Sequence, residues 1–105
     1  MHFMKFEVYV PLTHVDAVKD AICKAGAGKY GNYDSCLWQT EGVGQFRPLE
    51  GSNPYLGTTN KVETTKEAKI ECIVEESLIK NVIAEMKKAH PYEVPAFNYW
   101  PVFIE

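Results

Sequence analysis

Twice along this chain a run of polar–apolar alternation breaks off, and a short amphipathic stretch of helical spacing follows at once. From Phe3 to Val10, Met4, Phe6, Val8 and Val10 fall on one side and Lys5, Glu7 and Tyr9 on the other. Period two with β-branched and aromatic residues predicts a half-buried strand. Pro11 stops it, Thr13 offers an N-cap oxygen with Asp16 three residues on, and Val15, Val18, Ile22 and Ala25 recur at helical spacing. Gly26 stands where a left-handed C-terminal residue is expected. The pattern repeats between Val62 and Glu76, where Ile70, Cys72 and Val74 alternate with Lys69, Glu71 and Glu75. Ser77 then offers a cap for a helix with Leu78, Ile79, Val82, Ile83, Met86 and Ala89 on its apolar face. His90-Pro91 ends that helix, because proline disfavours helical geometry in the residue before it.

Between these units, Ser35 to Glu41 reads as a strand, Gly42-Val43-Gly44 as a tight turn, and Gln45-Phe46-Arg47 as its return, together a hairpin. Pro48 to Asn60 is a surface excursion, long enough to be expected to serve function or a partner. Val94 to Phe103 closes the chain as an aromatic-rich strand; Pro95 and Pro101 cannot donate ladder hydrogen bonds, so it is expected to lie at an edge or to be interrupted. The order βαββαβ predicts an α+β fold: a ferredoxin-like sandwich, with a four-stranded antiparallel sheet and two helices on one face. The 105 residues make one domain, 1–105, large enough to hold a core without disulfides or a structural metal.

Eleven basic against fourteen acidic side chains, net charge -3, argue against a nucleic-acid partner, whose footprint is a basic patch. No apolar run approaches the roughly 18 residues of a membrane span, and the first seven residues do not read as a secretory leader. Three cysteines with no C-x-x-C pair are read as reduced thiols, so a cytoplasmic location is expected. Cys23 falls inside the predicted amphipathic helix and Cys72 inside the alternating strand, and both are expected to be buried and inert. Cys36 is expected to be the most accessible.

Four constellations bear on chemistry. Gly26-x-Gly28-x-x-Gly31 follows a predicted helix instead of opening one, so it reads as cap and turn, not as a dinucleotide fingerprint. His90 and Glu93, three residues apart, can share a divalent ion or a proton if the corner folds them together; otherwise His90 complements the helix dipole and Glu93 is solvated. The helix terminus and Glu93 both favour a protonated His90 ring. Nucleophilic catalysis needs Cys36 or Ser35 beside one of His2, His14 and His90. The aromatics Trp38, Phe46, Tyr92, Phe97, Tyr99 and Trp100 suit core or subunit-interface packing better than a nucleobase platform.

Three stretches together carry a resemblance: Gly26-Ala27-Gly28-Lys29-Tyr30-Gly31-Asn32-Tyr33-Asp34-Ser35-Cys36-Leu37-Trp38-Gln39-Thr40; then Gly44-Gln45-Phe46-Arg47-Pro48 with Gly51-Ser52-Asn53-Pro54; then Ala89-His90-Pro91-Tyr92-Glu93. The chain resembles the YqfO-type domain, an insert in many bacterial Nif-three-like proteins and also a free-standing small protein. The last segment also looks like the corresponding part of the divalent-cation tolerance protein CutA. Val94 departs from the pattern, where the insert domain more often carries a second glutamate. The resemblance implies a CutA- and PII-like protomer that assembles as a homo-oligomer, a trimer first and a dimer second. It also implies a non-catalytic binding or regulatory module that senses a small-molecule ligand or a divalent metal ion. The Nif-three-like two-metal core lies outside the inserted domain, so a hydrolase or cyclohydrolase activity does not carry over. Candidate ligand-binding residues are Cys36, Trp38, His90, Tyr92 and Glu93, with His90 and Glu93 as metal candidates; the rival reading is a small enzyme using Cys36 or His90 with Glu93, or a structural interaction domain.

Overall fold

The computed structural model describes residues 2–105. Its elements run β1 (Phe3–Pro11), α1 (Val15–Lys24), β2 (Trp38–Phe46), β3 (Glu63–Glu75), α2 (Ile79–Ala89) and β4 (Phe97–Val102), with single 3-10 turns at Leu12–His14 and Glu76–Leu78. The strands form one antiparallel sheet in the order β2-β3-β1-β4. Opposed residues share a face. Phe6 lies opposite Cys72 and Val8 opposite Ile70, so the alternation in both strands sends its apolar set to the same side. There Val18 and Ile22 of α1 and Val82 and Met86 of α2 close the core; every one of these four is fully buried.

Both helices start later than the capping motifs predict. The Thr13 hydroxyl pairs with His14 Nδ1 at 2.8 Å, and neither Thr13 nor Ser77 caps a helix. A 3-10 turn in each case brings the chain off the sheet and satisfies part of the first turn. The second helix ends where Pro91 requires, with His90 extended at φ -79, ψ 135.

The middle of the chain differs most. Gly42-Val43-Gly44 is not a turn: β2 runs through it as one nine-residue strand, and Ser35–Leu37 lies outside any strand. Neither glycine has positive φ; Gly42 lies opposite Glu67 and Gly44 opposite Thr65. The reversal comes later, through residues 47–62, so the hairpin partners are β2 and β3. Because β3 has thirteen residues and pairs with β1 only from Glu67 on, Glu63–Lys66 and Val43–Phe46 project past the body as a two-stranded arm. That arm accounts for the elongated envelope of 46 × 24 × 22 Å. The last strand is shorter than the alternation suggests, starting at Phe97, and lies at the opposite edge with Pro101 in it.

Candidate functional site

Where the arm leaves the body, three chain segments meet around an open cavity of about 240 Å³. The arm contributes Gln45 and Phe46, and Glu67 stands at its base; the 47–62 excursion contributes Tyr55 and Leu56; and the chain leaving α2 contributes Tyr92, Glu93 and Val94. Tyr92 is the centre of the wall, with ring centroids 5.8 Å from Phe46 and 6.3 Å from Tyr55, both within the range of favourable aromatic pairs. His14 extends the row, 5.6 Å from Tyr55.

Glu67 anchors this wall. Its Oε2 accepts the Tyr92 hydroxyl at 2.9 Å. Burial first, and then the bond to Glu67, push the Tyr92 phenol well above its ordinary pKa, so it stays a donor. The carboxylate crosses over Gly44 on the way: a Cβ there would collide with Oε1 and lie 2.5 Å from Cδ. Glycine at 44 therefore serves close approach. The second carboxylate, Glu93, accepts the Asn53 amide on Oε2 at 3.1 Å and ties the excursion to the segment after α2. Glu67 and Glu93 form no ion pair among the described residues, and no lysine or arginine lines the cavity.

His90 lies behind the wall, its ring 5.0 Å from Tyr92 and only 6% exposed. Nε2 lies 2.7 Å from the Tyr9 carbonyl, which can only accept, and Nδ1 accepts the Tyr92 amide at 3.1 Å. These partners assign the neutral Nε2–H tautomer. Burial lowers the His90 pKa below its ordinary value, outweighing the bond to Tyr9 and the nearby charge of Glu67. The sequence expectation of a protonated ring held by Glu93 is thus corrected: burial dominates the helix terminus, and Glu93 bonds to Asn53 instead of the ring. Both ring nitrogens are engaged within the protein, and the described residues contain no cluster of three or more metal-ligating side chains.

The remaining candidates lie elsewhere. Cys36 is exposed on the loop before β2, with Sγ 3.6 Å from the Asp34 carbonyl, and its amide donates to Gly28 at 2.9 Å. No hydrogen bond joins Cys36 or Ser35 to a histidine among the described residues. Trp38 is 68% exposed at the start of β2, its indole N–H donating to Thr40. Of the five residues singled out in the sequence, His90, Tyr92 and Glu93 therefore converge and Cys36 and Trp38 do not. Tyr55 and Glu67 are not among those five. The proline- and glycine-rich excursion is the available signal for Tyr55; for Glu67 there is none short of the register.

No protein-family model matches the chain. It is 46% identical over 98 residues to a GTP cyclohydrolase 1 type 2 homolog of Halalkalibacterium halodurans, and 40% identical over 98 residues to that of Bacillus subtilis. Each match covers 93% of this chain but 26% of the relative. A crystal structure of a Bacillus cereus protein related to NIF3 superposes with a TM-score of 0.83 at 40% identity, over 96% of this chain and 26% of that one. The chain matches the YqfO-type domain of the Nif-three-like family. This YqfO-type domain spans about a quarter of the length of the curated relatives. Its fold is also that of CutA from Xylella fastidiosa, with a TM-score of 0.70 at 18% identity over 98% of this chain and 86% of the other. Bacillus subtilis GlnK matches at a TM-score of 0.63 and 16% identity, over 97% and 86%. At these identities the likeness is one of fold alone. No helix among the described residues is long and apolar enough to cross a membrane.

Proposed function

We propose that this domain is a non-catalytic binding or regulatory module that takes a small ligand in the cleft between the β2–β3 arm, the 47–62 excursion and the segment after α2. The observation that carries the reading is the cleft itself: an aromatic wall of Phe46, Tyr55 and Tyr92 backed by two hydrogen-bonded carboxylates. A concave, largely apolar site with a few placed polar groups is the usual form of a small-molecule site. Catalysis has less support, because neither Cys36 nor Ser35 is bonded to a base among the described residues.

The module works as a homo-oligomer, a trimer first and a dimer second. Both sheet edges support this, with Trp38 and Val43 exposed on β2 and Tyr99 and Trp100 exposed on β4. Unpaired edges of this kind invite another chain. Light scattering at micromolar concentration should give a multiple of the 11.9 kDa chain; the protomer mass alone would refute the oligomer.

The cleft is tested by thermal unfolding against a panel of anionic, cationic and neutral small molecules. A ligand of the native state raises the melting temperature by mass action. At least one compound should stabilise the wild type and lose that effect in Tyr55→Ala. A panel with no such compound, or shifts indifferent to Tyr55→Ala, would refute the cleft as the binding place.

A further inference from the structure

The cavity is unusual in what its wall lacks. Three aromatic faces and two carboxylates line it, with no lysine or arginine among the lining residues. Each carboxylate has one oxygen committed, Glu67 Oε2 to Tyr92 and Glu93 Oε2 to Asn53. The other oxygen of each has no hydrogen-bond partner among the described residues. Aromatic faces and carboxylate lone pairs attract the same kind of group: a positive charge carrying N–H donors. They repel phosphate and carboxylate ligands. The volume, about 240 Å³, lies below the usual range of roughly 300–1,000 Å³ for whole drug-sized ligands, so it suits a head group.

We infer that the cleft of Phe46, Tyr55, Tyr92, Glu67 and Glu93 is a site for an organic cation with N–H donors, an alkylammonium or guanidinium group. The inference rests on the cleft being the binding place and adds the class of its ligand. A bare divalent ion is a poorer fit. Two monodentate carboxylates leave most of its coordination unfilled, and the aromatic wall offers it no ligand atoms. His90 does not make up the deficit, since both ring nitrogens are bonded within the protein. A primary ammonium, by contrast, carries N–H donors suited to carboxylate oxygens, and its alkyl stem suits the apolar lining of Tyr55 and Leu56.

The test follows the tyrosine ring resonances of the full chain by NMR, assigned through Tyr55→Phe and Tyr92→Phe. The probes are n-butylammonium chloride, 1-butanol, sodium butyrate and zinc chloride, with acetyl-Gly-Lys-Gly-amide as the peptide form of the same cation. Saturable shifts of the Tyr55 and Tyr92 rings are expected with butylammonium, and weak or no shifts with butanol, butyrate or zinc. Glu67→Gln, which keeps an acceptor for Tyr92, and Glu93→Gln should each weaken butylammonium at least tenfold, with the unfolding midpoint confirming that both variants fold. Response to butylammonium alone points to a free metabolite, and tighter binding of the lysine peptide to a partner's side chain; either supports the inference. Equal or tighter binding of butanol, butyrate or zinc at these rings overturns the cation assignment while leaving the cleft as a binding site. No response to any probe overturns the assignment too; the wider panel with Tyr55→Ala then decides whether the cleft binds anything else.

Discussion

Replacing Gly44 by alanine tests how the cleft is held together. Gly44 does not have positive φ, so its backbone suits any residue. By the usual rule, alanine there should stabilise by about 0.4–1 kcal/mol, through the lower entropy of the unfolded chain. The structure predicts otherwise, because the new Cβ would occupy the path of the Glu67 carboxylate to Tyr92. The carboxylate end can swing away at little steric cost, but it then surrenders the Tyr92 hydroxyl. A hydrogen bond to a charged acceptor contributes roughly 1.5–3 kcal/mol when well buried. Both groups here are half-exposed, so about 1 kcal/mol is the working figure after solvent screening. The two effects nearly cancel in the single variant, which makes its own stability a poor readout. A double-mutant cycle with Tyr92→Phe removes the ambiguity. Tyr92→Phe should cost about 1 kcal/mol in the wild type and close to nothing in the Gly44→Ala background, where Glu67 has already moved, a coupling of about 1 kcal/mol by urea unfolding. Gly44→Ala that stabilises fully, with Tyr92→Phe additive to within about 0.3 kcal/mol, would refute the argument that glycine at 44 admits the carboxylate.

Two further perturbations probe groups with displaced ionisation. His90 is neutral in the fold with a lowered pKa, so the unfolded chain takes up its proton first as pH falls. Its contribution is therefore complete above about pH 6.5 and declines between there and the folded-state pKa, at no more than about 1.4 kcal/mol per pH unit; a stability–pH profile unchanged by His90→Gln would contradict this. Thiol labelling of native protein should proceed in the order Cys36, Cys23, Cys72: Cys36 is exposed, Cys23 half-buried with its pKa raised by burial, and the Cys72 thiol pushed by burial to about 12. Labelling at Cys72 without prior unfolding would overturn the burial assignments.

What the sequence could reveal depended on whether a residue's role was set by its immediate neighbours. β1 and β3 were legible because each buries one face, and a half-buried strand writes that into its sequence as period two. β2 was not, because almost all of it is exposed in the protomer and no burial constrains its pattern. Its two glycines read as a turn because composition cannot distinguish glycine chosen for a reversal from one that, like Gly44, lets another side chain past. Cys23, expected to be buried, is only half-buried, because it follows the fully buried Ile22 by about 100° of helix rotation and so leaves the Val15, Val18 and Ile22 stripe. His90 does end α2 as its neighbour Pro91 dictates, but the helix terminus alone misreads its charge state. The deciding partner, the Tyr9 carbonyl, lies 81 residues away in sequence. Glu67 is one of several acids alternating along β3, and only the register with β2 singles it out.

The same few bonds that wall the cleft also fix the arm. A two-stranded ribbon with no second layer is at best marginally stable alone. Here Tyr92 reaches from the end of α2 to Glu67 at the base of the arm. Glu93 holds the excursion through Asn53, and the excursion closes on itself where the Asn60 amide donates to Pro48 at 2.6 Å. Body, arm and excursion are therefore joined at one place, and that place is the cavity. An occupant that donates to both Glu67 and Glu93 would add a third tie across the same junction. Its binding free energy would then appear in part as order at the base of the arm, where Glu67 lies. The arm carries the exposed edge of β2, the surface on which a second copy would pair. Occupancy of the cleft and pairing at the β2 edge would thus act on one structural element. By linkage, an occupant that changes the free energy of pairing at that edge would have its own affinity changed by pairing by the same amount.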